Sequence, residues 1–341
     1  MLSHHLTWVS SCQNPRRPPQ MITHGQKTQG SIMRSDIWHK DGSIVLQAQN
    51  TQFRVHWGVL SLHSSFFRDM QDLPQPPDQS NVEGCPIVEL PDSAEDVEHL
   101  LKALYNPLFN QKSLPFSVVS SIFRLGRKYD FKDLLASVVE RLAFEHPTSW
   151  KQYQELYHDS GIYSPSRIVP RTGIYLDFIT LARENNLFSM LPCAYHRALL
   201  VHTQFQIFNG VTRRDGTGVA KLSSVDQQLC ILAKSKLLQA QFEPGYTFGW
   251  LLTDSMDPSP EENDCTNLAE CRRQRDSILL HLLFPSSYRG LTFLPPSLWA
   301  RLCETCAGRA KASTEAGRQK MWEALPSFFD LPPWGELKND L

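Results

Sequence analysis

Residues 44–70 read IVLQAQNTQFRVHWGVLSLHSSFFRDM, and directly after His56 the apolar spacing changes from every second residue to every third or fourth. Val45, Phe53 and Val55 alternate with polar neighbours, as side chains do on a half-buried strand. Asn50 supplies a turn between two short strands, so a hairpin is expected. Beyond His56, the residues Val59, Leu62, Phe66, Phe67 and Met70 recur at helical steps. They give the next helix an apolar face that must find cover. Farther on, Pro86 to Leu90 fits another strand, Ser93 to Tyr105 a helix, and Val118 to Tyr129 with Phe131 to Phe144 a pair of helices. Strands gathered early and helices gathered late make this an α+β unit.

That ordered set resembles the BTB/POZ domain. The family carries a His, then Leu, Ser and Ser, then Phe-x-x-Met, at the junction of its second strand and first helix. Here His56, Leu60, Ser61, Ser65, Phe66 or Phe67, and Met70 fill those places. Pro86 to Leu90 looks like the family's third strand and Ser93 to Tyr105 like its second helix. The last two segments look like its closing helix pair, with Leu125, Lys128 and Tyr129 where the family tends to place Leu-x-x-Lys-Tyr. Trp57 departs from the pattern, which usually has Lys or Arg after the His. The resemblance ends near His146. It implies short strands capped by a helical cluster, and a surface for self-association or for docking to a cullin-type ubiquitin ligase. His56 reads as a structural residue at the strand-to-helix corner, because a lone His beside an apolar face is more often a packed core group than a ligand or base.

A chain of 341 residues has room for two domains, each able to bury a core without disulfides. A formal net charge of −1 argues against nucleic-acid or anionic-membrane partners, which call for a basic excess. The run Arg272-Arg273-Gln274-Arg275 reads as the solvated face of a helix. No apolar run reaches the roughly 18 residues of a membrane span. Residues 1–33 are expected to be a disordered tail, since Met1 to Gly30 mixes Ser, His, Gln, Pro and Gly without period. They lack the apolar stretch of a secretory signal, so an intracellular setting, cytoplasm or nucleus, is expected, with the eight cysteines in a reducing compartment.

The expected organisation is therefore a BTB/POZ domain over 34–147 and an all-α domain over 148–341. A polar connector from Ser149 to Arg171 separates them. Helices are expected over Leu176 to Glu184 and Met190 to Val201, from a Ser223/Asp226 capping box through Leu238, over Leu268 to Leu283, and from Ser297 to Leu325 after the Pro295-Pro296 start signal. This second half, with its closing Trp322 to Trp334 segment, resembles a large group of fungal BTB proteins with a helical C-terminal region. Kelch, ankyrin and zinc-finger repeats, which mark what other BTB proteins capture, are not found in the sequence.

The sharpest chemical signal is Cys265-x₅-Cys271 followed by Cys303-x₂-Cys306. Thiolates at i and i+3 share a helix face, and a second pair at the start of the preceding antiparallel helix could complete a tetrahedral shell for one structural zinc ion. Two readings stay open: a metal site, for which His281 is a substitute ligand, and four small hydrophobes in a core. No residue is assigned a catalytic or cofactor-binding role. The chain has no Walker sequence, Gly-x-Ser-x-Gly, His-Glu-x-x-His or His-x-Glu. Gly216-Thr217-Gly218 reads as a polar turn, and Asp92, Glu95 and Asp96 as charges complementing a helix dipole. The expected work is protein binding by a homodimer, as a cullin adaptor or alternatively a transcriptional co-regulator scaffold.

Overall fold

The computed structural model describes residues 31–73, 79–106, 113–156, 163, 165–252, 265–283 and 288–341. Most of the tail expected over 1–33 lies outside the described residues, and Met33 already opens the first strand.

Five strands form one sheet: β1 (Met33–Trp38), β2 (Ile44–Ala48), β3 (Thr51–Val55), β4 (Asn81–Val82) and β5 (Cys85–Leu90), in the order β1-β3-β2-β5-β4. The hairpin pairs Ile44 with Val55 and Ala48 with Thr51. Gln49, not Asn50, takes the left-handed backbone in its turn, at φ 52°. β2 sits centrally between β3 and β5, so Ile44, Val45 and Leu46 are all buried, and the alternation seen in the sequence does not hold there. β1 was not expected. It pairs in parallel with β3, and its charged Arg34 and Asp36 gave no strand pattern.

The amphipathic run after His56 is two helices, α1 (Trp57–His63) and α2 (Ser65–Gln71). The break is Ser64, extended at φ −137° and ψ 121°, whose hydroxyl accepts from the Phe67 N–H at 3.1 Å and donates to the Tyr129 carbonyl at 2.5 Å. A buried hydroxyl that caps one helix and ties down another outweighs continued helix propensity. Ser64, rather than Ser65, is thus the buried serine of the junction. The buried face becomes Trp57, Leu60 and Phe67, while Leu62 stands 76% exposed.

Three helices close this half: α3 (Ala94–Tyr105), capped by Ser93, α4 (Phe116–Lys128) and α5 (Lys132–Glu145). Asp92 lies before α3 and accepts from Lys128 Nζ at 2.7 and 2.8 Å and from the Tyr129 hydroxyl, so it joins α3 to α4 rather than serving a dipole.

The second half is helical apart from a small ribbon. The expected connector opens with α6 (Trp150–Glu155); α7 (Ile174–Glu184), α8 (Leu191–Val201) and α9 (Gln204–Asn209) follow. β6 (Val211–Thr212) and β7 (Val219–Ala220) form an antiparallel hairpin that turns through Gly216 and Gly218, at φ 76° and 100°. Then come α10 (Ser224–Ala240), α11 (Leu268–Leu283), α12 (Glu304–Glu323) and α13 (Leu325–Phe328). Ser223 caps α10 through the Asp226 N–H at 3.1 Å. The Asp226 carboxylate does not complete the expected box. It accepts instead from the Ser223 hydroxyl at 2.6 Å, from Arg183 Nε at 3.0 Å and from the Tyr195 hydroxyl, and not from the Ser223 backbone N–H. The helix expected from Ser297 begins only at Glu304, because Pro295 and Pro296 lead into a 3₁₀ turn over Pro296–Trp299 and Cys303 takes the capping position.

Apolar side chains gather in three clusters. One lies between the sheet and α1 to α3, around Phe53, Phe67 and Leu101. The largest is shared by both halves: Val119, Ile122 and Phe123 of α4 and Leu142 of α5 join Leu176 and Phe178 of α7, Tyr195 of α8, Leu237 of α10 and Trp322 of α12. A continuous apolar body therefore crosses the boundary near residue 147. The C-terminal residues tie the halves again, with the Asp340 carboxylate 2.9 Å from Arg127 of α4. The third cluster, around Phe248, Trp250, Ile278 and Trp299, holds Cys271 and Cys306.

Candidate functional site

At the strand-to-helix corner, His56 ends β3 and precedes α1. Its Nδ1 lies 3.1 Å from the Tyr105 hydroxyl and its Nε2 3.2 Å from the Asp41 carboxylate, and its own N–H donates to the Tyr105 oxygen at 2.9 Å. His39 stacks on Tyr105. Asp41 is held below the usual carboxylate range by its own backbone amide and then by the His56 hydrogen bond. The histidine thus pins a loop, a strand end and the end of α3 together, as the structural reading expects. Trp57 turns inward: it is buried, and its indole N–H donates to the Phe67 carbonyl at 3.2 Å. The family's usual cation is replaced by a side chain that locks α1 to α2.

Residues 40–144 match the sequence profile of the BTB/POZ domain. The chain carries a BTB/POZ domain. This is a protein-interaction family. No curated protein matches the chain. Among the described residues, no helix is long and apolar enough to cross a membrane.

Outside the BTB/POZ domain, the structure brings Cys265, Cys271, Cys303 and Cys306 together, their sulfurs all within 4.8 Å of one another. Cys265 lies just before α11 and Cys271 in its first turns; Cys303 caps α12 and Cys306 follows three residues later. The sulfurs therefore gather where two helix N-termini meet. The Cys303 N–H donates to Cys271 Sγ at 3.3 Å, and Cys303 Sγ lies 3.9 Å from Cys265 Sγ. Tetrahedral zinc with bonds of about 2.3 Å separates its sulfurs by about 3.8 Å, so the cluster has the dimensions of such a shell. Two helix N-termini also supply positive dipole ends, which suit the net negative charge of a zinc ion with four thiolates. Burial would raise the Cys303 thiol, but the backbone amides of Cys306 and Thr266 and the neighbouring thiols bring it down to about 6. Burial foremost pushes Cys271 and Cys306 upward. His281 is exposed on α11 and takes no part.

Two buried histidines gave no signal in the sequence. His196 in α8 is wholly buried and its ring nitrogens make no hydrogen bond, and burial and then the nearby Arg197 cation lower it to about 3. His146 stacks on Phe178 at 3.6 Å and is driven well below its ordinary value, by burial and then by Arg197. Both lie in the shared core, where burial disfavours the charged ring.

Proposed function

We propose that this chain is an intracellular adaptor, cytoplasmic or nuclear, that self-associates through its BTB/POZ domain and docks a cullin-type ubiquitin ligase, while one structural zinc ion pins its helical region. The observation that carries the adaptor reading is the shared core. By resemblance, cullin docking in this family draws on a helical extension after the domain, and here α7 and α8 share one apolar cluster with α4 and α5. Self-association is supported by α1 and α2, which leave Leu62 and Phe66 exposed at 76% and 43%, and by Leu73 just past α2, exposed at 61%. Three large exposed apolar side chains within one short stretch of chain are an unfavourable surface for a monomer and a suitable one for a second copy.

Zinc is supported by the sulfur spacing and by the thiol-only donor set, which suits zinc in a closed, structural shell. The four cysteines would hold the ion and leave no coordination position for a substrate.

Affinity purification of the tagged full chain, followed by mass spectrometry, tests the adaptor reading. It should recover a cullin, and the recovery should fall when α4 and α5 surface residues are changed. Recovery of chromatin factors with no cullin would overturn it in favour of a co-regulator scaffold.

A further inference from the structure

We propose that the four-cysteine cluster is a redox switch in which peroxide joins Cys265 to Cys303 as a disulfide and expels the metal ion; this rests on the zinc reading above. The cysteines are not equivalent. Cys265 and Cys303 are partly exposed, whereas Cys271 and Cys306 are buried among Ile278, Leu282, Trp299 and Leu302. Cys85, Cys193 and Cys230 are buried as well. Among the described residues, the two cysteines that are not buried are therefore neighbours, 3.9 Å apart at sulfur.

Access and mobility favour the same pair. A disulfide needs its sulfurs at about 2.0 Å, so the pair must close by an ångström or two through side-chain rotation or backbone movement. Cys265 precedes α11 outside any helix, and Cys303 is an extended cap residue at φ −63° and ψ 161°, so neither is locked inside a turn of helix. Cys271 and Cys306 sit within helices and have no such freedom.

The chemistry balances with hydrogen peroxide as the oxidant. One outer thiolate attacks a peroxide oxygen; the O–O bond breaks, a sulfenic acid forms, and the departing hydroxide takes a proton to become water. The second outer thiolate then attacks the sulfenic sulfur. The S–S bond forms, and the S–O bond breaks with loss of a second hydroxide, which also leaves as water. Two thiolates lose two electrons, and one peroxide gains them. Only Cys271 and Cys306 remain as ligands, and two thiolates do not make a closed tetrahedral shell.

The test uses the full chain as purified. Its zinc content is measured first, and the protein is then titrated with hydrogen peroxide in the presence of a chromogenic zinc indicator. Peptide mapping without reduction identifies the bonds formed. Expected is release of about one zinc ion per chain in step with a Cys265–Cys303 disulfide, and recovery of both zinc and free thiols on adding dithiothreitol and zinc. Zinc kept under peroxide while bulk thiols oxidise would overturn the switch and leave the metal site standing. Release accompanied by a different disulfide, or by sulfinic acids alone, would overturn the assigned pair. A chain that carries no zinc and takes up none when it is supplied would overturn the metal reading and this inference together.

Discussion

The centre of the BTB/POZ domain and the cluster around Trp250 and Trp299 are both apolar, yet they are closed by different means. In the first, Phe53, Leu60, Phe67, Leu101 and Phe131 arrive from strands and helices on several sides and are almost fully excluded from water. Each such side chain contributes about 1.5–3 kcal/mol of burial. The second draws on short pieces: a 3₁₀ turn at Gly249–Leu251, one side of α11, another 3₁₀ turn and the start of α12. Two of its buried positions are Cys271 and Cys306. A small core that places two thiols beside its aromatic rings is a core whose stability depends on what those thiols bind.

The largest loss of stability is expected in the smaller of these two cores. Chelation, or Cys306→Ser, should cost the α11–α12 region several kcal/mol and expose its backbone amides to hydrogen exchange. Amides of β2, β3 and β5 should stay protected. Equal loss in both regions would mean that the cysteines support the whole chain, and loss in neither would return them to ordinary core packing.

Acid should strike a third place, the core that joins the halves. His196 is neutral when folded and has its ordinary value near 6.5 when unfolded, so between about pH 6.5 and 3 the unfolded chain binds the extra proton. Stability then falls as the pH falls, by about 1.4 kcal/mol per unit for this group, and above 6.5 the penalty vanishes. His146, shifted in the same direction, adds to the slope. Urea midpoints at pH 7 and pH 5 measure it, and His196→Phe, which fits a ring into a site lined by Tyr153 and Tyr288, should flatten it. An unchanged slope would remove His196 from the account.

A smaller loss is expected in the BTB centre. Ser64→Ala removes the cap of α2 and leaves the buried Tyr129 carbonyl without its donor, at a cost of about 1–2 kcal/mol. Ser65→Ala, at the neighbouring position, should cost less, because its partner Asp130 lies nearer the solvent.

These residues also show how far the sequence could be read. The period change at His56 revealed the hairpin and the helix that follows, because burial on one face imposes that spacing directly. The split at Ser64 was hidden, since it depends on a carbonyl 65 residues away in the chain. β1 was hidden too: an edge strand held by backbone pairing needs no apolar alternation, and Arg34 and Asp36 tolerate solvent. The four cysteines could be singled out because thiols at i and i+3 are rare, but the chain gave no sign that the N-termini of α11 and α12 meet. His146 and His196 were silent because nothing local marks a histidine whose partners are aromatic rings from distant helices.

The least effect on stability belongs to Leu62→Lys, on the exposed side of α1 and near its C-terminal end, where a cation is favourable. Its effect on assembly should be the greatest of all, so it provides the most direct test of the account. Light scattering on the full chain at tens of micromolar should return twice the 39.0 kDa chain mass, and Leu62→Lys should return the single-chain mass with an unchanged melting temperature. A wild-type chain that stays at 39.0 kDa would contradict self-association through the BTB/POZ domain.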